Sequence, residues 1–267
     1  MIAIQVKSLT SIERMQLHSS HADAPSHTNH RSQKIVQSVS RMPIWTMQFR
    51  RAHSKKSVDV QERKRAMSKI IVATVLKTGG EYVEQHVERL QDMVDEYISN
   101  AIFVCLTDGN PDCRTIPLTA RLPGWWSKME LFQLEGPVLY FDLDTTIQGN
   151  CDHWIDTIKD LDFVCLRDVY RGKRNRLAMG SGIMYWSGDM THVWDAYCQD
   201  GMPINIPGGD QSYLEAAIRR AHYLQDYADD VVSYKFDIRD GNYKAKNASV
   251  VYFHGKPRPW DEVVNLK

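Results

Sequence analysis

The stretch 137-PVLYFDLDTTIQG-149 decides the fold and contains the first candidate site residues. Residues 138–141 form a short, apolar, β-prone run between turn-forming and polar residues, a pattern that predicts a buried strand. Asp142 and Asp144 follow where that strand should end. Ligands of open α/β sheets bind at the carboxyl ends of strands, and paired carboxylates are ligands for Mg²⁺ or Mn²⁺, so a metal site is predicted here. A strand that runs into an acidic loop is the alternative.

Strand-like and helix-like segments alternate on both sides of this stretch. The apolar runs 69–76 and 101–108 are typical of strands, and the intervening segment 81–98 has apolar residues at helical spacing. This β-α-β order predicts a parallel sheet with a right-handed crossover. The same patterns predict helices over 125–134, 154–162, 190–199 and 211–227, and strands over 115–118, 163–168, 181–188, 231–236 and 250–255. We therefore expect an α/β fold with a mixed, mainly parallel sheet flanked by helices.

Residues 1–66 differ in composition from the rest of the chain. They carry 12 Lys and Arg against 4 Asp and Glu, whereas the remaining residues carry 21 and 29, so a basic segment precedes an acidic body. The segment is rich in Ser, His, Gln and Arg without periodicity, which is typical of disorder. A transit peptide and an over-extended reading frame are alternatives. We expect a disordered extension over 1–66 and one folded domain over 67–267.

The composition also argues against several classes of protein. Five cysteines without a C-x-x-C pair argue against a disulfide framework or a zinc knuckle and favour a reducing compartment, so a cytoplasmic location is expected. No apolar run reaches the length of a membrane span. A nucleic-acid partner is not expected, because the basic segment lacks interleaved aromatic residues.

Five sequence blocks occur in an order that is typical of one group of enzymes. They are 69-KIIVATVLKTGGEY-82, 127-SKMELF-132, 139-LYFDLDTT-146, the pair 180-GSGIMYW-186 and 208-GGDQSYL-214, and 253-FHGKPRPW-260. Together they resemble the nucleotide-sugar glycosyltransferases of the Rossmann-like GT-A fold, and most closely the glycogenin-like family 8, over residues 69–262. Two departures stand out. His254 and Gly255 are adjacent in a compressed closing motif, with Arg258 between two prolines, and Gly180 stands where the family often has asparagine.

The resemblance implies a nucleoside-diphosphate sugar as donor, in the first instance a UDP-sugar, and transfer with retention of anomeric configuration. It implies that Asp142 and Asp144, with His254 as a nitrogen ligand, hold a divalent cation. Such a mixed ligand set fits Mn²⁺ better than Mg²⁺. It also implies that Lys256 and the Gly255 backbone contact the diphosphate. The residues alone leave a structural histidine and a solvated surface lysine as alternatives.

The resemblance assigns the remaining candidates to the donor sugar and base. Asp210 and Gln211 contact the sugar, Ser181 and Gly182 lie beneath it, Lys128 lies near the sugar or phosphate, and Tyr82 faces the base. Other roles stay open for three of them: Asp210 as a helix N-cap, Lys128 as a helix-face cation paired with a glutamate, and Tyr82 as a core residue. The Trp125-Trp126 pair is expected in the core and its rim rather than as a sugar platform. The acceptor is left open between glycan, protein and small molecule.

Two other functions are compatible with the same residues. A strand followed by D-x-D-x-T is similar to the first motif of haloacid-dehalogenase-type phosphatases, in which Asp142 would be the nucleophile and Asp144 the general acid around Mg²⁺. Asp229 and Asp230 would then supply the distal acidic pair. That motif normally opens its domain, whereas here about 70 residues of βα pattern precede it. The other alternative is a catalytically inactive nucleotide-sugar-binding protein.

The composition of residues 1–66 generates a first prediction. Because this segment lacks core-forming periodicity, a chain that begins at Met67 should unfold at nearly the same temperature as the full chain. Thermal unfolding followed by circular dichroism measures this. A large loss of melting temperature in the shorter chain would show that the segment packs against the domain.

Overall fold

The computed structural model describes residues 69–171 and 177–261, with Val264 and Leu266. The strands are β1 Ile70–Leu76, β2 Ala101–Thr107, β3 Thr115–Pro117, β4 Val138–Phe141, β5 Thr146–Ile147, β6 Phe163–Arg167, β7 Met179–Trp186, β8 His222–Tyr223, β9 Val231–Ser233 and β10 Val250–Tyr252. The α-helices are α1 Glu84–Tyr97, α2 Asp152–Ile158, α3 Thr191–Gln199 and α4 Gly209–Ala217. Shorter helical segments are Gly124–Gln133, Leu224–Asp226 and Ala245–Asn247, all 3₁₀, and the π-helix Tyr234–Arg239. The predicted disordered extension over 1–66 lies outside the described residues.

Seven of these strands form the main sheet, in the order β3-β2-β1-β4-β7-β6-β8. Strands β3, β2, β1 and β4 are parallel to one another, and β6 is parallel to β8. Strand β7 is antiparallel to both β4 and β6. The predicted α/β class, with a mixed, mainly parallel sheet flanked by helices, is therefore confirmed.

Both faces of the main sheet are covered, which explains why β4 is apolar at every position. Leu139 and Phe141 belong to the core that contains α1 and α2. Val138 and Tyr140 belong to the core on the other face, with the 3₁₀ helix Gly124–Gln133, α3 and α4. Successive side chains of a strand point to opposite faces, so this short strand contributes to both cores. The chain becomes acidic only at Asp142, where it leaves the sheet at its carboxyl edge.

The predicted helix over 211–227 is wrong in its second half. Helix α4 ends at Ala217, and Ile218 has an extended backbone. Strand β8 then pairs in parallel with β6. Apolar residues continue at helical spacing beyond the end of α4, but the buried Ile218 and Tyr223 pack at the edge of the sheet instead. Tertiary packing therefore overrides the local helical pattern.

The predicted strands near the C terminus are shorter than expected. Strand β9 ends at Ser233, where the π-helix Tyr234–Arg239 begins, and β10 ends at Tyr252. With β5, these two strands form a separate three-stranded sheet in the order β5-β10-β9. His254 therefore lies in the segment that follows β10 rather than in a strand.

The five cysteines are all unpaired. Within residues 69–171 and 177–261, no helix combines the length and the apolar composition that crossing a bilayer requires. The cytoplasmic location stays a prediction from the cysteine pattern.

Candidate active site

Three elements bring the candidate residues to the carboxyl end of β4. Asp142 directly follows that strand, and its backbone N–H donates to the carbonyl of Gly182 in β7 at 2.8 Å. Asp210 lies in the first turn of α4 and is buried. The Ser181 hydroxyl donates to Oδ2 of Asp210 at 2.6 Å. Residues that are distant in sequence therefore meet where an α/β sheet binds its ligands.

The buried ammonium group of Lys128 joins these elements. Its Nζ lies 2.9 Å from Oδ1 of Asp142 and 3.5 Å from Oδ2 of Asp210. It also donates to the carbonyl and the hydroxyl of Ser181, at 3.2 and 3.1 Å. Burial alone would lower the pKa of Lys128, but the two carboxylates outweigh it and raise that pKa above its usual range. Lys128 is thus a charged group inside the site, and its alternative role as a helix-face cation paired with a glutamate is wrong.

Asp210 is not the cap of its helix. The N-cap of α4 is Gly208, at a φ of +87°, and no side chain caps the helix there. The Asp210 carboxylate instead accepts from Ser181 and lies beside Lys128. The alternative role of Asp210 as an N-cap is therefore wrong, and its side chain belongs to the site.

Asp144 is buried and contacts Arg258, which sequence reasoning did not assign to the site. The guanidinium group donates to the Asp144 carboxylate through Nη1 and forms an ion pair with Glu81 at 2.8 Å through Nη2. It also lies over the ring of Tyr82, 5.2 Å from the ring centre. Burial and the neighbouring charge of Asp142 raise the pKa of Asp144 to about 6, although Arg258 acts in the opposite direction.

Most of the predicted site residues line one cleft of about 350 Å³, which we call the His254 cleft. Its predicted members are Tyr82, Asp142, Asp144, Ser181, Gly182, Gln211, His254 and Gly255, and the unpredicted Arg258, Asp168 and Tyr170 join them. Tyr82 precedes α1, which begins at Glu84, so the expected helical position of Tyr82 is wrong. Lys256 is exposed and does not line this cleft.

The donor atoms of the His254 cleft suit a divalent cation. Nε2 of His254 is buried without a hydrogen-bond partner in the part of the chain that the structure describes. Burial lowers the pKa of His254, which favours the neutral imidazole that a metal ion requires. Asp142 and Asp144 supply carboxylate oxygens in the same cleft. In residues 69–171 and 177–261, no three His, Cys, Asp or Glu side chains lie close enough together to form a metal cluster. Lys128 contacts Asp142, and Arg258 contacts Asp144.

Gln211 is held by an arginine that sequence reasoning also missed. Arg171 donates to its Oε1 at 3.2 Å, to the carbonyl of Met179 at 2.7 Å, and to Oδ2 of Asp168 at 2.7 Å. The same guanidinium forms an ion pair with Glu215, one turn further along α4, at 2.8 Å. Because Arg171 offers donors in a fixed planar arrangement, it orients the Gln211 amide at the edge of the His254 cleft.

Comparison with known proteins then identifies the fold. Two structures of the glycosyltransferase GlyE from Streptococcus pneumoniae TIGR4, one of them the apo form, match with TM-scores of 0.52 and 0.51 at 13% identity. The chain has the fold of solved glycosyltransferases. Each match covers 74% of this chain and 57% of the GlyE chain, so the chain spans just over half of GlyE.

A glycosyltransferase involved in the glycosylation of the major capsid of PBCV-1 matches with a TM-score of 0.42 at 12% identity, over 69% of this chain and 93% of that one. A TM-score of 0.42 does not establish that the two proteins share a fold. No protein-family model and no curated protein matches the sequence. The closer resemblance to family 8 therefore stays a prediction.

The contacts of Lys128 generate a prediction about stability. Lys128→Met should lower the free energy of unfolding by about 3–5 kcal/mol, because it leaves two carboxylates in the site without their cation. Urea unfolding measures the change. The matched control is Lys159→Met, which removes an exposed pair with Asp156 and should change the free energy by no more than about 0.5 kcal/mol.

A double variant separates the contribution of the Lys128 charge to stability from the contribution of its packing. Combining Lys128→Met with Asp210→Asn should cost less than the sum of the two single changes, because the double variant removes both members of the pair. Strictly additive losses would show that Lys128 stabilises the protein only through its packing.

Proposed function

We propose that this protein is a glycosyltransferase that moves a sugar from a nucleoside-diphosphate sugar, a UDP-sugar in the first instance, to an acceptor hydroxyl. One observation carries the proposal. Asp142, the first of the two carboxylates that follow β4, lies with Lys128 and Asp210 at the carboxyl edge of a sheet whose fold is shared with solved glycosyltransferases. The finer features, namely metal dependence and retention of configuration, rest on the resemblance to family 8.

The reaction exchanges one bond for another at the anomeric carbon. The acceptor oxygen forms a bond to that carbon, and the bond from the carbon to the diphosphate oxygen breaks with its electron pair leaving on the diphosphate. The hydroxyl proton passes to the departing diphosphate. Charge therefore develops on the diphosphate, and a site that stabilises it there accelerates the reaction.

Asp142, Asp144 and His254 are the residues that would hold a divalent cation, Mn²⁺ or Mg²⁺, which supplies Lewis-acid stabilisation of the diphosphate charge when bound. Lys128 fixes the Asp142 and Asp210 carboxylates beside each other. Gly182 gives the donor room, because a Cβ there would stand 3.3 Å from Oδ2 of Asp142. Tyr82, which lines the same cleft, presents an aromatic ring to the nucleotide base.

Arg258 is the cation that the structure favours for contact with the diphosphate. It lines the His254 cleft, whereas Lys256 is exposed outside it. A guanidinium group binds phosphate through two parallel hydrogen bonds, which a lysine cannot do. Arg258 contacts Asp144 in this structure, and its guanidinium group would bind the diphosphate in place of that carboxylate.

The phosphatase alternative finds less support in the geometry. Asp229 and Asp230, which would be its distal acidic pair, do not line the His254 cleft. Asp230 instead lies 3.2 Å from Nε2 of His153. Strand β4 also lies beside β1 inside the sheet, after two earlier βα segments, rather than opening the domain. The inactive-protein alternative is disfavoured because Asp142, Asp144 and His254 line one cleft and Lys128 contacts Asp142.

The metal assignment predicts how donor binding depends on Mn²⁺. The full chain should bind UDP-glucose or UDP-galactose only with Mn²⁺ and hydrolyse one of them slowly, with water as the acceptor. Asp144→Asn and His254→Ala should each abolish the Mn²⁺-dependent part of binding, measured by calorimetry, without unfolding the protein. Unchanged Mn²⁺-dependent affinity in both variants would exclude this ligand set. Rapid hydrolysis of an aryl phosphate, lost in Asp142→Asn, would favour the phosphatase.

The position of Arg258 predicts which of two basic side chains, Arg258 or Lys256, binds the donor diphosphate. Arg258→Gln should weaken UDP binding in the presence of Mn²⁺ roughly tenfold or more, because a charge-assisted hydrogen bond contributes about 1.5–3 kcal/mol. Lys256→Ala, two residues away, is the matched control and should change that affinity less than about threefold. The reverse order of effects would assign the diphosphate contact to Lys256.

A further inference from the structure

A second cleft, of about 480 Å³, adjoins the His254 cleft. We call it the Trp125 cleft, after the exposed tryptophan that lines it. The two clefts share three lining residues, Asp142, Ser181 and Gln211. A transferase must bring two substrates together at one boundary, and these residues form such a boundary. If the diphosphate occupies the His254 cleft, the donor sugar lies at this boundary, beside Lys128, Asp210 and Gln211, to which the resemblance assigns it. The Trp125 end of the second cleft is then the adjacent space that an acceptor can enter.

Trp125 is exposed in a way that the sequence did not predict. Its neighbour Trp126 is buried and stacks on Tyr197 with ring centres 5.9 Å apart, whereas Trp125 is 65% exposed. The expectation that Trp125 packs in the core or its rim is therefore wrong. Trp125 lies in the first turn of the 3₁₀ helix Gly124–Gln133, directly ahead of the buried run 126–132.

The chain at the start of α4 makes room for this indole ring. Gly209 has a φ of +69°, and a Cβ there would stand 3.1 Å from Nε1 of Trp125. A larger residue would displace the ring, so the Gly208-Gly209 turn lets the indole lie against the backbone beside Asp210. The exposed indole ring thus lies close to Gly209, in a cleft that the boundary residues also line.

The lining of the Trp125 cleft fits a sugar better than a purely apolar ligand. One wall is apolar, with Trp125, Ile204 and Ile206. The deep side is polar and charged, with Lys128, Asp142 and Asp210. A pyranose ring has an apolar C–H face and polar hydroxyl edges, so it can cover the indole while its hydroxyls hydrogen-bond to the carboxylates. An aliphatic ligand would offer no hydrogen-bonding group to this polar side of the cleft, which costs free energy.

We propose that the Trp125 cleft is the acceptor site and that it binds a sugar ring stacked on Trp125, with the reacting hydroxyl at the boundary formed by Asp142, Ser181 and Gln211. This inference rests on the proposed function and gives it an acceptor class. Trp125 is a specificity-determining residue for the acceptor and makes no contribution to donor binding.

The test uses the full chain with Mn²⁺ and UDP-glucose or UDP-galactose, and measures UDP release. The probes are lactose, maltotriose, cellotriose and diacetylchitobiose, with octanol as the apolar comparison. At least one sugar should accelerate UDP release and octanol should not. Trp125→Ala should raise the sugar concentration for half-maximal acceleration roughly tenfold, and Trp125→Phe should raise it less, because part of the stacking surface remains.

Acceptor-free hydrolysis of the donor is the internal control. It should be the same in Trp125→Ala, Trp125→Phe and the original chain. Tyr227→Ala is the matched variant, since Tyr227 is 37% exposed and lines neither cleft, and it should leave the response to sugar unchanged.

The possible outcomes separate failure of the acceptor assignment from failure of the proposed function. An unchanged response to sugar in Trp125→Ala, acceleration by octanol alone, or no acceleration by any sugar while donor hydrolysis persists would each overturn the acceptor assignment and leave the proposed function standing. Absence of both donor binding and hydrolysis in the original chain would overturn the proposed function, and the acceptor assignment with it.

Discussion

The arrangement of the site depends on one interaction, the contact of the buried Lys128 ammonium group with the carboxylates of Asp142 and Asp210. A lysine buried without acidic partners would lose its proton, and two neighbouring carboxylates without a cation would repel each other. The three groups therefore require one another. Because they come from the 3₁₀ helix, the end of β4 and the start of α4, the pair of contacts fixes the positions of these elements at the carboxyl edge of the sheet.

The sequence predicts those parts of the structure that are determined by residues close to one another along the chain. The apolar run 138–141 followed by Asp142 predicts a buried strand and an acidic edge, and both are present. Helix α4 shows where a local signal fails. Its helical spacing continues past Ala217, but pairing of β8 with β6 is a long-range contact that periodicity does not encode. The fold class was therefore predictable, whereas the end of this helix was not.

Arg258 shows the same limit within the site. Its partners Glu81 and Asp144 lie 177 and 114 residues away in sequence, so no local pattern connects them. The sequence signal was the arginine between two prolines in a segment that otherwise resembles a phosphate-binding motif. Trp125 carried no such signal, because consecutive tryptophans do not indicate which ring is buried. Sequence reasoning thus predicted many of the residues that line the His254 cleft but not all of them.

The two oxygens of Asp142 explain how one carboxylate can serve both clefts. Oδ1 accepts a hydrogen bond from the Tyr140 hydroxyl at 2.5 Å and lies 2.9 Å from Lys128, so it is fixed by the protein. Oδ2 faces Gly182, which has no side chain that could cover this oxygen. The fixed oxygen prevents the carboxylate from rotating, and the glycine leaves the other oxygen accessible to a ligand. Under the proposed function, Asp142 would help to hold a donor-side cation, and the same residue lines the cleft that an acceptor sugar would enter.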